Sequence, residues 1–248
     1  MRAPLYLLFF SLLFLSCTNA DKLAFEPKTY QNDKCSDCPT ISIAIPNMLE
    51  TSTIANTINN ALKEEIIAQL TFDDNGQSFD TIEGAMQSFS NGYEQLKAKF
   101  PDETVKWEAT IKGEIIYEDT HVVTIACDSY IFTGGAHGYG SIRYLNFDKK
   151  KGLELENWEL FADAEDFKRF AELKFRIQEN IPQDDNINST GYMFENEEFY
   201  LPENIGFTDD GLLLHYNQYD VASYADGPIV VKLPYDEIKN YLARRIKS

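Results

Sequence analysis

Histidine is the scarcest chemically useful residue of this 248-residue chain, with three, at positions 121, 137 and 215. No two of them stand four apart on one segment, so the paired imidazoles of a zinc hydrolase are missing. Cationic side chains are also short, 22 Lys and Arg against 40 Asp and Glu, for a net charge of −18. Such a surface repels nucleic acid and anionic headgroups, which leaves cations and basic proteins as its electrostatic partners. After residue 17 no stretch approaches the roughly 18 apolar residues needed to cross a bilayer. What is plentiful is ordinary core material, 44% apolar and 13% aromatic residues, which excludes a disordered chain and provides for one large or two small domains.

The amino terminus has the order of a secretory signal: Arg2, an apolar run from Leu5 to Leu15 broken only by Ser11, then Ser16 and Cys17. A cysteine directly after the small residue points to a lipoprotein signal over residues 1–16, with Cys17 acylated and a membrane held through that lipid. Plain cleavage near Ala20 with a free Cys17 is the alternative. Removing residues 1–16 deletes one charge, Arg2, and leaves the mature chain at −19. Thr18 stands where an Asp would favour inner-membrane retention in lipoproteins generally, so the cell envelope, and the outer membrane where there is one, is the expected place. Residues 17–40 are polar and read as a tether. Cys35 and Cys38 are spaced like a redox or metal pair, but no second ligand pair follows and Pro39 opens a strand-like run. A disulfide within this segment, or from it to Cys127, is expected in an oxidising compartment.

Periodicity sets out the remainder. Ile41, Ile43 and Ile45 alternate as a strand that Pro46 should end, and two helical stripes follow. The first is Ile54, Ile58, Leu62, Ile66 and Leu70; the second is Ile82, Met86, Phe89, Tyr93, Leu96 and Phe100. Alternation from Val105 through Trp107, Ala109, Ile111 and Ile115 to Tyr117 predicts a long strand with one wet face and antiparallel neighbours. Strands over 122–132 and 139–147 complete a meander, and Lys149 to Gly152 make a charged turn. A helix carrying Phe167, Phe170, Leu173 and Ile177 comes next. Strands over 199–207, 212–216 and 229–233 and a last helix over 235–246 follow it. The fold class is α+β, in two consecutive helix-plus-antiparallel-sheet modules, 41–148 and 149–248, sharing a core.

Three segments invite a chemical reading. Thr71 to Gly76 is similar to the Thr-Phe-Asp-Asp-Gly motif of polysaccharide deacetylases, yet the required histidine pair is absent and Asn75 is inserted, so it reads as an acidic loop ending a helix. Thr133-Gly134-Gly135-Ala136-His137-Gly138 joins two strands, and its glycines permit left-handed backbone and close approach. As a binding loop it offers Thr133, Gly134, Gly135 and His137; as a turn it needs only the glycines. The run from Gly211 to Tyr235 places Tyr219 among tyrosines that suit a carbohydrate or peptide groove, or simply pack a corner. No catalytic set, metal site or cofactor motif stands out. A wall-glycan hydrolase or transferase using His137 with Asp128 is the enzymatic alternative.

The pairing of residues 130–138 with 211–235, and the Leu160-Phe161-Ala162-Asp163 approach to the helix between them, resembles the RsiV-type domain family. That family includes the extracytoplasmic part of the anti-sigma factor RsiV and the leader modules of the deacetylase PdaC. The resemblance covers about residues 40–243 and implies an α+β extracytoplasmic domain, with lysozyme sensing in RsiV itself. No sigma-binding segment, membrane span or catalytic domain is recognisable beside it. The expected role is therefore a non-catalytic binding module for peptidoglycan or a basic lysozyme-like protein, with a scaffold lipoprotein as the blander option.

Overall fold

The computed structural model describes residues 22–32, 37–71, 78–102, 105–244 and 246. The signal segment with Cys17, Cys35, and the acidic loop over 72–77 lie outside the described residues. The first half forms β1 (Phe25–Gln31), β2 (Thr40–Met48), α1 (Thr53–Leu70), α2 (Ile82–Lys99), β3 (Glu108–Glu118), β4 (Val122–Phe132), β5 (Tyr139–Asp148) and β6 (Leu153–Glu154). These strands make one sheet in chain order. Ser52 and Thr81 cap the two helices through their hydroxyls. The four-residue spacing of Ile54 to Leu70 puts every one of those side chains against the sheet.

The expectation of antiparallel neighbours holds for β4 and fails for β2. Between β2 and β3 run two helices, and a crossover that long returns the chain parallel, Thr40 opposite Glu108 through Ala44 opposite Lys112. The tether reading of residues 17–40 is also corrected, because Phe25–Gln31 pairs antiparallel along β2 as an edge strand. Pro46 does not end β2. Contact with β3 stops at Ala44, and Pro46 faces Pro27 across the edge pair, so two residues without an N–H share one rung.

The second half contributes α3 (Ala164–Gln178), β7 (Asn204–Thr208), β8 (Gly211–Tyr216), β9 (Ile229–Pro234) and the single turn α4 (Tyr235–Ile238). Strands β7, β8 and β9 form a separate antiparallel sheet. The strand expected from residue 199 begins at Asn204, since Pro202 interrupts the donors just before it. The expected helix over 235–246 stops at Ile238. Beyond it the backbone bonds across to residues 160–162, with Ala162 N–H donating to Tyr241 and Ala243 N–H to Leu160 (2.8 and 2.9 Å). Those partners replace the next helical turns.

Helices α1 and α2 cover one face of the large sheet, and the small sheet, backed by α3, covers the other. Side chains fall into two apolar groups accordingly. One irregularity joins them. A bulge between Ile115 and Tyr117 inserts a residue into β3, so Ile115 packs with the helices while Tyr117 turns to the other face. Simple alternation would put both on one side. Tyr117 instead meets Phe207 and Tyr235 at ring distances of 6.0 and 6.4 Å.

The possible bridge to Cys127 is not formed. Cys127 is a free, buried thiol facing the helices, and burial pushes its pKa up to about 12, which makes it unreactive. Cys38 is disulfide-bonded.

Candidate functional site

The two sheets meet along β5 and β7. Tyr144 lies flat over Gly206, where an added Cβ would stand 2.6 Å from the ring, and buried Asn146 donates to the Ile205 carbonyl at 2.7 Å. Toward the Gly-rich end they diverge, and a cleft of about 330 Å³ opens between them. Its floor comes from β4 and β5. Residues opposite one another in a ladder share a face, so Asp128 stands beside Ile142 and Tyr130 beside Gly140. Glycine there leaves the space next to the Tyr130 ring unfilled. The opposite wall is His215 of β8, with Asn217, Gln218 and Pro228.

Each wall is held by local chemistry. Alternation along β8 sends Leu212, Leu214 and Tyr216 toward α3 and turns His215 to the large sheet, where its ring meets Tyr144 edge-on at 5.9 Å. His215 is 6% exposed and lines the cleft. Burial lowers its pKa, only partly opposed by the Asp128 charge, so the ring is neutral at neutral pH. Asn217 seals the cleft end by mimicking a strand: its Oδ1 accepts from Ile142 N–H at 2.8 Å and its Nδ2 donates to the Ile142 carbonyl at 3.1 Å. The carboxylate of Asp220 accepts from Asn217 N–H at 2.7 Å and closes a tight turn in which Tyr219 takes φ +70°. Burial raises the Asp220 pKa, with the Asn217 hydrogen bond opposing. The Tyr130 platform is seated as firmly, because its ring occupies the space where a Gly138 side chain would begin, 2.5 Å from the ideal Cβ.

The Gly-rich loop and Tyr219 stand on the rim of this cleft. Gly134 and Gly135 take φ of +106° and +88°, which accounts for glycine at both. Exposed His137 stacks on Tyr224 with centroids 3.9 Å apart, the Tyr224 hydroxyl donates to the Gly138 carbonyl at 3.3 Å, and Tyr219 lies 5.5 Å from Tyr224. The fold thus brings His137 and Tyr219 together through a third ring. Neither lines the cleft; nor do Thr133, Gly134 and Gly135. Asp128 lines it without His137, so the acid–base pair considered from sequence is not assembled around one cavity. Among the described residues no three His, Cys, Asp or Glu gather where a metal could be held. The site residue that sequence reasoning missed is His215, whose signal was an imidazole in strand alternation on the face opposite three large apolar neighbours.

A larger hollow of about 640 Å³ lies beside α4, lined by Asp209, Asp210, Lys239 and Arg244 among others. Its charges are largely matched: Asp210 with Lys232 at 2.9 Å, Arg244 with Asp148 at 3.3 Å and the Glu159 carbonyl at 2.7 Å. The smaller cleft is the better site because His215, Asp128 and Tyr130 line one cavity of ligand size.

Comparison with known proteins agrees with this architecture. Residues 32–139 match the family described as deacetylase PdaC, and residues 158–236 match a family described as protein of unknown function, DUF3298. A DUF3298-family structure from Bacteroides fragilis superposes with a TM-score of 0.70 at 17% identity, covering 90% of this chain and 96% of its own. Another, from Pseudomonas aeruginosa, gives 0.64 at 18%, covering 90% and 95%. No curated protein matches the chain. The fold is the α+β fold of those DUF3298-family structures. More particularly, a PdaC-type segment is followed here by a DUF3298 segment in one chain. No described helix is long and apolar enough to cross a membrane.

Proposed function

We propose that this chain is an envelope lipoprotein, cleaved after residue 16 and anchored by a lipid on Cys17, that works as a non-catalytic binding module for a cell-wall component. Sorting to an outer membrane, where the cell has one, follows from Thr18 after Cys17. The observation that carries the binding reading is the cleft between the sheets, with an imidazole, a carboxylate and a fixed aromatic ring around one small cavity. A site so organised suits a pre-formed small ligand. The stacking of His137 on Tyr224, outside the cavity that Asp128 lines, favours binding over hydrolysis. A second reading, capture of a basic lysozyme-like protein, draws on the −19 charge of the cleaved chain, which would speed encounter and weaken with salt.

The test is capture of purified peptidoglycan and of lysozyme by the full chain at low and moderate salt. Retention of wall material at both salts, without turnover, is the expected result. Salt-sensitive retention of lysozyme alone would transfer the function to the acidic surface. Retention of neither would end the binding-module reading. Incorporation of a fatty-acid label that disappears in Cys17→Ser checks the anchor.

A further inference from the structure

We infer that the cleft takes a single sugar ring, laid on the face of Tyr130, with its hydroxyls donated to Asp128 and its far edge bonded by His215. The inference deepens the binding-module reading and rests on it.

The cavity is small. Its volume of about 330 Å³ lies at the low end of ligand sites, so it admits one ring-sized unit rather than a folded segment of a partner. Three groups then choose the chemistry. Tyr130 is 40% exposed, yet its ring rests against the Gly138 backbone, and this contact fixes a flat apolar surface toward solvent. Gly140, opposite it in the ladder, leaves the area beside that face open. An aromatic face of this kind stacks on the C–H face of a sugar while polar groups address the ring edge. Asp128 is exposed on the same face, two residues along the strand; Lys112, opposite it in β3, pairs with Glu114 at 3.0 Å, and no described cationic side chain forms an ion pair with Asp128. An ionised carboxylate only accepts hydrogen bonds and has two oxygens for adjacent hydroxyls. On the far wall, His215 presents a neutral imidazole, which is one donor and one acceptor, and a hydroxyl satisfies either. A ligand hydroxyl would take the place of the water that these ring nitrogens otherwise meet in the cleft.

A basic side chain is the competing occupant, since Asp128 would accept an ammonium or guanidinium. Such a cation could engage only the acceptor nitrogen of His215 and would leave the Tyr130 face without a C–H surface to stack on, whereas a polyhydroxylated ring uses donor, acceptor and platform together.

The experiment follows the histidine ring resonances of the full chain by NMR, with chitotriose and N-acetyl-arginine amide as separate probes. Chitotriose should shift His215 and leave His121 unmoved. Tyr130→Ala and His215→Gln should each weaken its binding about tenfold or more, with Tyr130→Phe close to the parent and all three folded by circular dichroism. Should His215→Gln fail to fold, Tyr130→Ala against Tyr130→Phe decides alone. Shifts produced by the arginine derivative and not by chitotriose would overturn the sugar assignment. Peptidoglycan retained equally by parent, Tyr130→Ala and His215→Gln would remove the cleft from the site while leaving the binding module intact. No capture at all would end both.

Discussion

The two cores of this protein are built from different side chains. The first is aliphatic, rows of Ile and Leu from α1, β2 and β3 with Trp107 set between Phe89 and Tyr93. The second is aromatic: Phe175 alone meets Tyr192, Phe194, Phe199 and Tyr216 at 5.0 to 5.8 Å. The difference follows from backbone. Regular helices and long strands offer periodic surfaces that aliphatic side chains interdigitate. Residues 179–203 and 217–228 are mostly irregular, and few large rings cover them while their polar edges satisfy stray backbone groups. Tyr216 donates its hydroxyl to the Tyr200 carbonyl at 2.6 Å, Tyr200 to the Asp220 carbonyl at 2.9 Å, and Asn188 bonds both ways to Phe194. The candidate site lies where the regular half meets the irregular one, a rigid sheet supplying the floor and loop-borne groups much of the opposite wall.

The largest expected effect tests this contrast directly. Phe175→Ala removes the hub of the aromatic cluster and should cost about 3–5 kcal/mol. Leu62→Ala, fully buried in the aliphatic core, should cost about 2–5 kcal/mol. In urea melts followed by circular dichroism and by fluorescence, Tyr117 and the Asp148–Arg244 pair, which span the two halves, should keep both variants on one transition. Two separated transitions in Phe175→Ala would mean that the cores are energetically independent.

This contrast also marks what was legible beforehand. The four-residue stripes of α1 and α2 and the alternation of β4 and β5 are single-period signals, and the elements lie where those signals place them. Edge strand β1 was hidden because Phe25, Pro27 and Thr29 carry no buried face; its pairing with β2 alone creates it. Tyr117 was misassigned to a face because a bulge has no compositional mark in Ile115-Ile116-Tyr117. The end of α4 was missed because the hydrogen bonds that replace the helix come from residues 160–162, far away in sequence. For the site, the conformational demand on Gly134 and Gly135 was readable, whereas the cleft is a gap between two sheets, and its key imidazole is defined by which face β8 turns inward.

A middle-sized effect is expected where the sheets touch. Gly206→Ala would drive a methyl into the Tyr144 ring, which is already enclosed, and overpacking of this kind costs about 1–3 kcal/mol. Its other consequence is local: Tyr144 must shift, and His215 rests edge-on against it. Chitotriose binding should therefore fall more than stability alone requires, compared at a temperature where the variant stays folded. Unaltered affinity in a destabilised variant would uncouple the seam from the cleft.

Asp148 joins the halves electrostatically and gives a pH signature. Burial tends to raise its pKa, but N–H donors of Lys151 and Lys150 and the Arg244 guanidinium hold it below the ordinary value. A depressed carboxyl contributes stability that is present above its unfolded pKa, near ~3.9, and lost as pH falls through the lower folded value. Asp148→Asn should lose about 1–3 kcal/mol at neutral pH and show a flatter acid limb in urea midpoints against pH.

The smallest effect separates the cleft from the rest of the seam. His215 is depressed by burial, so the folded state holds the neutral ring, and its contribution is complete above the unfolded pKa of 6.5. That contribution is lost as pH falls from 6.5 through the folded value, because the unfolded chain takes up the proton first. Asp220 has the opposite sign: its raised pKa means that the carboxylate costs stability at neutral pH and that this cost is relieved on acidification. The two contributions have opposite signs on acidification, the His215 one beginning below 6.5 and the Asp220 one below its own raised folded value. His215→Gln removes the falling component and leaves the Asp220 relief, so the variant should gain stability relative to the parent as pH drops below 6.5. A difference curve that stays flat would mean that His215 reaches water freely, and an imidazole so hydrated could not serve as the buried wall of a binding site.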